Sequence, residues 1–237
     1  MTQSRDPYSY SMQNGESALH RGSLDDALHS FTQAYSLSIG NGEKAVAAQH
    51  MGIATRMMGK FVDARVHFHA AVALAEGNHA LVAGIQNDLA MNFMEHGDSL
   101  HHGPARNGLF QHAERNLIEA RDTFRVCGMP TSAAVSEGFL ARLQLFRGRT
   151  NDARYSFIDV DRALQAGDNR NFELDNLMWY IGIANPKVRP GLVRRARKLI
   201  ATTGQGRRLT QLRLVQLGVN PITLLHAKRT VKRIFGK

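Results

Sequence analysis

A four-point pattern of small and aromatic residues recurs along this chain and limits its fold more than any other feature. A glycine is followed five residues later by alanine, four later by an aromatic residue and three later by alanine. The pattern runs Gly22, Ala27, Phe31, Ala34, and again Gly59, Ala64, Phe68, Ala71, 37 residues further on. A looser copy is Gly148, Ala153, Phe157, Val160, and seven residues before these glycines stand Gly15, Gly52 and Ala141. A further copy is interrupted. Gly97 has Ala90 seven residues before it, but Ala113, Leu117 and Ala120 arrive 11 residues late. The intervening segment, DSLHHGPARNGLFQ, is rich in Gly and His and predicts an inserted loop at the tip of a helical hairpin. Self-similarity at such a period marks a supersecondary unit that cannot bury its apolar face alone and must stack on its neighbours.

The spacing predicts helix–turn–helix units. Gly15 and Gly52 let helix A approach its partner closely. Ala27 and Ala64 sit at the crossing on helix B, with Phe31 and Phe68 one turn further on as plugs. Gly22, Gly59, Gly97 and Gly148 are expected at the A-to-B turn, where a left-handed residue ends helix A. Asp25, Asp63 and Asp152 suit the positive end of the helix B dipole. Glycines 42, 77 and 128 are expected to end each helix B. Beyond Asn171 the segment FELDNLMWYIGIA predicts an apolar helix ended near Asn185-Pro186. LVRRARKLIAT predicts a basic one, the two together reading as a fifth, degenerate unit. LTQLRLVQLG and PITLLHAKRTVKRIF predict two more short helices.

The Gly, Gly, Ala, Phe, Ala positions quoted above resemble the signature of the tetratricopeptide repeat family, as four units over about residues 8–165. Two features depart from that signature. The large aromatic early in helix A is absent (Ser11, Ala48, Gln86 and Glu137 fall there), and the connections between units are longer. The resemblance implies an all-α, right-handed helical-repeat solenoid over residues 1–167, followed by a basic helical segment over 168–237. It also implies that helix A lines a concave groove for an extended or helical peptide. Carried over by position, the groove comprises Gln49, His50, Arg56, Met57, Asn87, Asp88, Met91, Met94, Phe139, Arg142 and Phe146. The Lys/Asn set with which some members clamp a peptide carboxylate is not matched, since Met12 and Glu16 stand at its first two places. The abundance of methionine suits an adaptable apolar ligand.

Charge is unevenly distributed. The formal net charge is +10, yet no Asp or Glu follows Asp175, and 14 of the 30 Lys and Arg lie beyond it. A cationic segment of this kind fits three situations: phosphates of RNA or DNA, an anionic membrane surface, or docking on the net-acidic repeats. The candidate anion-binding residues are Arg194, Arg195, Arg197, Lys198, Arg207, Arg208, Lys228, Arg229, Lys232 and Arg233. The expected function is therefore a non-enzymatic adaptor for a protein or peptide, with nucleic-acid association through the basic segment as the alternative.

No phosphate-binding glycine loop, GxSxG, HExxH, CxxC or kinase motif is present, so no catalytic residue, cofactor or metal site is expected. Four histidines (His96, His101, His102, His112) cluster around the predicted loop, and zinc would need better-spaced ligands. A single cysteine, Cys127, suits a reducing compartment. There is no apolar run of membrane-spanning length and no secretory leader, and the cytoplasm is the expected location.

Overall fold

A computed structural model describes residues 6–206, 208–217, 219 and 222. Among them the chain is all-α, with eleven helices and no strand. They fall in two compact units, Met1–Met129 and Pro130–Lys237. The boundary expected at residue 167 lies inside the second unit, between its second and third helices.

The first unit holds three hairpins: α1 (Pro7–Arg21) with α2 (Leu24–Leu37), α3 (Asn41–Met57) with α4 (Phe61–Leu74), and α5 (His79–Ser99) with α6 (Pro104–Val126). From α1 to α5 each helix packs on its successor, and α3 also touches α5, the helix A of the next hairpin. Local chemistry sets the ends. Asp6 caps α1 by accepting from the Ser9 amide at 3.1 Å, with Pro7 at the first helical position. Gly22 then ends α1 in the left-handed region, at φ 84°. Gly59 and Gly148 play the same part after α3 and the first helix of the second unit. Gly77 and Gly128 follow α4 and α6 with positive φ, as expected of residues that end helix B. Gly42 does not end α2. It lies in the first turn of α3, and α2 stops instead at the extended Ser38.

The predicted plugs are in place. Phe31, Phe68 and Phe157 expose no surface. A methyl group added at Gly52 would lie 2.7 Å from the Phe68 ring, and one at Gly15 would likewise run into Phe31. Glycine is therefore required there for close approach, not for backbone freedom. Gly97 belongs to the same class and not to the turns. It is buried inside α5, and an added methyl would lie 2.7 Å from Phe110. The segment expected as an inserted loop is in fact two helical extensions. They bring α5 to 21 residues and α6 to 23, joined by residues 100–103. The physical reason is register. Moving seven residues toward the turn on each helix carries the fully buried Ala90 and Leu117 to Gly97 and Phe110, so the small–large packing repeats one layer up.

The second unit holds α7 (Pro130–Phe146), α8 (Thr150–Ala166), α9 (Arg170–Ile183), α10 (Arg189–Thr203) and α11 (Arg208–Gln216). The packing order is again sequential, with α7 touching α9 and α9 touching α11. The fifth hairpin expected from sequence is thus α9–α10, and α11 occupies the place of a following helix A. Leu174, Leu177, Met178 and Ile181 of α9, Val193, Ala196 and Ile200 of α10, and Leu212 and Val215 of α11 share one core.

Candidate functional site

In the first unit, α3 and α5 lie side by side, and polar rungs between them are spaced like the repeat. Gln49 donates to Asp88 at 2.7 Å across 39 residues, and Arg56 pairs with Glu95 across the same interval. Seven residues, two helical turns, separate the rungs on each helix. Between them, at the intermediate heights, stand the half-buried Ile53 and Met91. Met57, beyond Arg56, is 39% exposed. Burial pushes the Asp88 carboxyl up, against the Gln49 hydrogen bond and the nearby Arg56 guanidinium. His50 bonds the Val46 carbonyl at 2.9 Å and lies with its ring 5.0 Å from that of Phe31. Its other nitrogen is 3.8 Å from Glu16.

The predicted groove residues of this unit therefore divide. Gln49, His50, Arg56, Asp88 and Met91 are half-buried on the α3–α5 face, and Met57 is exposed. Asn87 is buried, and Met94 has no exposed surface at all. Met94 is a core residue: its side chain is enclosed by the protein and has nothing to offer a ligand. Ile53, which lies between the rungs on the same face, completes the set.

In the second unit, Arg142 is the centre of the corresponding face. Its guanidinium lies 4.9 Å from the Phe139 ring centre and 5.3 Å from that of Trp179, and donates to Asp175 at 2.6 Å. Arg208 donates to the other Asp175 oxygen at 2.8 Å. Arg142, Asp175 and Arg208 follow one another at intervals of 33 residues, one on each of α7, α9 and α11. Burial pushes the Asp175 carboxyl up, but the two guanidiniums and their hydrogen bonds outweigh it and hold it down at about 2. Phe139 meets Phe172 edge-on, and Phe146 lies against Trp179. The predicted Phe139, Arg142 and Phe146 are all buried. The more accessible groups of this face, Phe172, Asp175 and Trp179, lie in a segment where the glycine–alanine–aromatic pattern is absent. The 33-residue interval is the one signal in the sequence that points to Asp175.

The basic segment faces two ways. Arg195 of α10 pairs with the buried Asp161 of α8 and lies 3.4 Å from the buried Glu173 of α9, which also accepts from Arg170 at 2.8 Å. With Arg208 on Asp175, two of the predicted anion-binding cations are already held by carboxylates of the chain. Arg194, Arg197 and Lys198 are exposed on α10. Arg207, Lys228, Arg229, Lys232 and Arg233 lie outside the described residues.

Two of the four clustered histidines make ring contacts, and His101, His102 and His112 are exposed. His96 stacks on Phe61 at 5.3 Å and accepts from Arg65 at 3.1 Å, and burial and then Arg65 hold its pKa down. His112 stacks on Phe93 at 5.2 Å, and His102 bonds Arg106. Among the described residues no three His, Cys, Asp or Glu side chains are placed to share a metal ion. Cys127 is exposed at the end of α6. No helix of the described residues is long and apolar enough to cross a membrane.

No family model matches the sequence, and no curated protein matches it significantly. Solved structures do match the fold. Two are crystal structures of the nearly identical TPR-like repeats assigned to a kinesin light chain of Podosopora anserina. One of them, a variant with a glutamine replaced by methionine, is 16% identical, with a TM-score of 0.55, covering 85% of this chain and 99% of that one. The other is also 16% identical, with a TM-score of 0.53, covering 90% and 97%. At that identity the likeness concerns architecture. Together with the hairpins, the buried glycine–phenylalanine contacts and the rungs at repeat spacing, it establishes that the chain is built on TPR-like, tetratricopeptide-type helical repeats.

Proposed function

We propose that the chain is a non-enzymatic adaptor of the cytoplasm that binds a short segment of a protein partner on the α3–α5 face of its first unit. The observation that carries this reading is the pair of polar rungs, Gln49–Asp88 and Arg56–Glu95, framing the half-buried Ile53 and Met91. Arg56 and Glu95 are engaged with each other and the Asp88 carboxyl with the Gln49 amide, so recognition would fall on the apolar surface between them. Methionine adapts to differently shaped side chains at small cost, which favours a ligand presenting one or two apolar residues. The rungs hold the two helices in register and would keep this surface formed in the absence of ligand.

Selection of peptides from a random displayed library against the full chain tests the reading. Selected peptides are expected to carry an apolar anchor, and to lose at least tenfold in affinity for Ile53→Lys and Met91→Lys variants that keep the helical signal of the parent. Peptides that bind those variants undiminished, or a library that yields no binder, would overturn it.

A further inference from the structure

The two-sided use of α10 isolates a surface of unbalanced charge. On its inner side, Val193, Ala196, Leu199 and Ile200 are packed into the core, and Arg195 is held by Asp161 and Glu173. On its outer side stand Arg194, Arg197 and Lys198, three, and then one, residues apart and so on one helical face. Among the described residues Arg197 reaches the neutral Gln216 side-chain oxygen, at 3.4 Å. No carboxylate occurs on α10 or α11, and the buried acids of α8 and α9 are already paired. The outer cations therefore project an uncompensated positive potential.

The chemistry of this face distinguishes among polyanions. A helix that lies on a membrane sinks an apolar side into the lipid, and the apolar side of α10 is committed to the core. Binders of single strands stack bases on aromatic rings, and neither α10 nor α11 contains one. What remains is the regular phosphate backbone of a duplex, which cations contact without reading sequence.

We propose that Arg194, Arg197 and Lys198 form a sequence-independent binding surface for the phosphate backbone of a nucleic-acid duplex. The surface lies on the second unit and is separate from the peptide face proposed on the first, so either can fail without the other.

Fluorescence anisotropy of a labelled random-sequence DNA duplex, titrated with the full chain at several salt concentrations, tests this. Loss of three phosphate contacts flattens the slope of log affinity against log salt by about 2.7. Between about 50 and 200 mM salt the full chain should then lose about 40-fold more affinity than Arg194→Gln/Arg197→Gln/Lys198→Gln. Arg194→Gln alone should flatten the slope by about 0.9, which serves if the triple variant does not fold. A control variant of equal net charge, Arg21→Gln/Lys60→Gln/Arg115→Gln, alters exposed cations of the first unit and should keep the parent slope. An unchanged slope in the α10 variants, or equal flattening in the control, overturns the proposal. So does failure of the full chain to bind duplex. Leu214 of α11 and Leu217 just after it are also exposed. Binding to phosphatidylserine vesicles that is lost in the triple variant, with no duplex binding, would assign the surface to lipid instead.

Discussion

Replacing Gly52 by alanine should destabilise the protein, although alanine is the better helix former. In the middle of a helix the exchange stabilises by about 1 kcal/mol where space allows. Space is absent at Gly52, where the new methyl carbon would lie 2.7, 2.8 and 2.9 Å from three ring carbons of Phe68. Carbon atoms prefer about 3.5–4.0 Å, so the ring must retreat by close to 1 Å. Phe68 has no exposed surface into which to retreat. Overpacking of this kind costs about 1–3 kcal/mol, which leaves a net loss of up to about 2 kcal/mol. Gly84 of α5 is the internal control, because a methyl there meets nothing within 4 Å. Gly84→Ala should stabilise by about 0.5–1 kcal/mol. Urea unfolding followed by helical circular dichroism measures both, and the two substitutions should differ in sign. Phe68→Leu in the Gly52→Ala background should recover part of the loss, with a coupling of about 1 kcal/mol in a double-mutant cycle. If Gly52→Ala stabilises as much as Gly84→Ala, Phe68 is not seated against Gly52, and the packing argument for the repeat is wrong.

Two further outcomes concern the second unit, where Trp179 is the chain's only tryptophan and its fluorescence reports unfolding. Asp175 is held at about 2 against an ordinary 3.8. Its contribution, about 2 kcal/mol at roughly 1.4 kcal/mol per tenfold, is complete above pH 3.8 and is lost as pH falls toward 2. Asp175→Asn should therefore flatten the acid limb of the stability profile in that window, and an unaltered limb would contradict the pairing with Arg142 and Arg208. Arg195→Gln should cost about 3 kcal/mol by leaving Asp161 buried without its cation and Glu173 with Arg170 alone. The neighbouring Arg194→Gln should stay within about 0.5 kcal/mol of the parent, and equal losses from the two would refute the division of α10 into an inner and an outer side.

The parts of the fold that are legible in the sequence are those fixed by sterics at short range. Gly15 with Phe31 and Gly52 with Phe68 can be read because a small residue and a ring at constant spacing have one economical use in a hairpin. Gly97 is ambiguous, because the same residue type serves both turns and close approaches. Only backbone geometry distinguishes the two uses, although Phe110, three residues before Ala113 as Phe31 is before Ala34, carries the correct register. The histidine-rich stretch reads as a loop when polarity is equated with irregular backbone, whereas His96 and His112 belong to α5 and α6 and lie on Phe61 and Phe93. On the candidate face, helical position places Gln49 and Arg56 near the partners they have. It does not separate the enclosed Met94 from the half-buried Met91, since one further turn fraction decides which neighbour covers the side chain.

The charge asymmetry takes on a different meaning once the rungs are known. Read along the chain, the residues after Asp175 form a cationic appendage to acidic repeats. Read across the fold, Arg195 meets Asp161 at an interval of 34 residues and Arg208 meets Asp175 at 33, as Arg142 does from the other side. These intervals match a helical repeat, so α10 and α11 extend the array, and their inward cations complete the acids of the repeat before them. A carboxylate buried between helices is costly unless a cation is supplied at the right height, and a repeat with basic residues on its inner side supplies it. Once those pairs are made, Arg194, Arg197 and Lys198 on the outward turns of α10 remain as surplus charge, which contributes little to folding. Removing Arg195 and removing Arg194 are thus opposite experiments one residue apart: the first should lower stability, and the second should weaken phosphate binding.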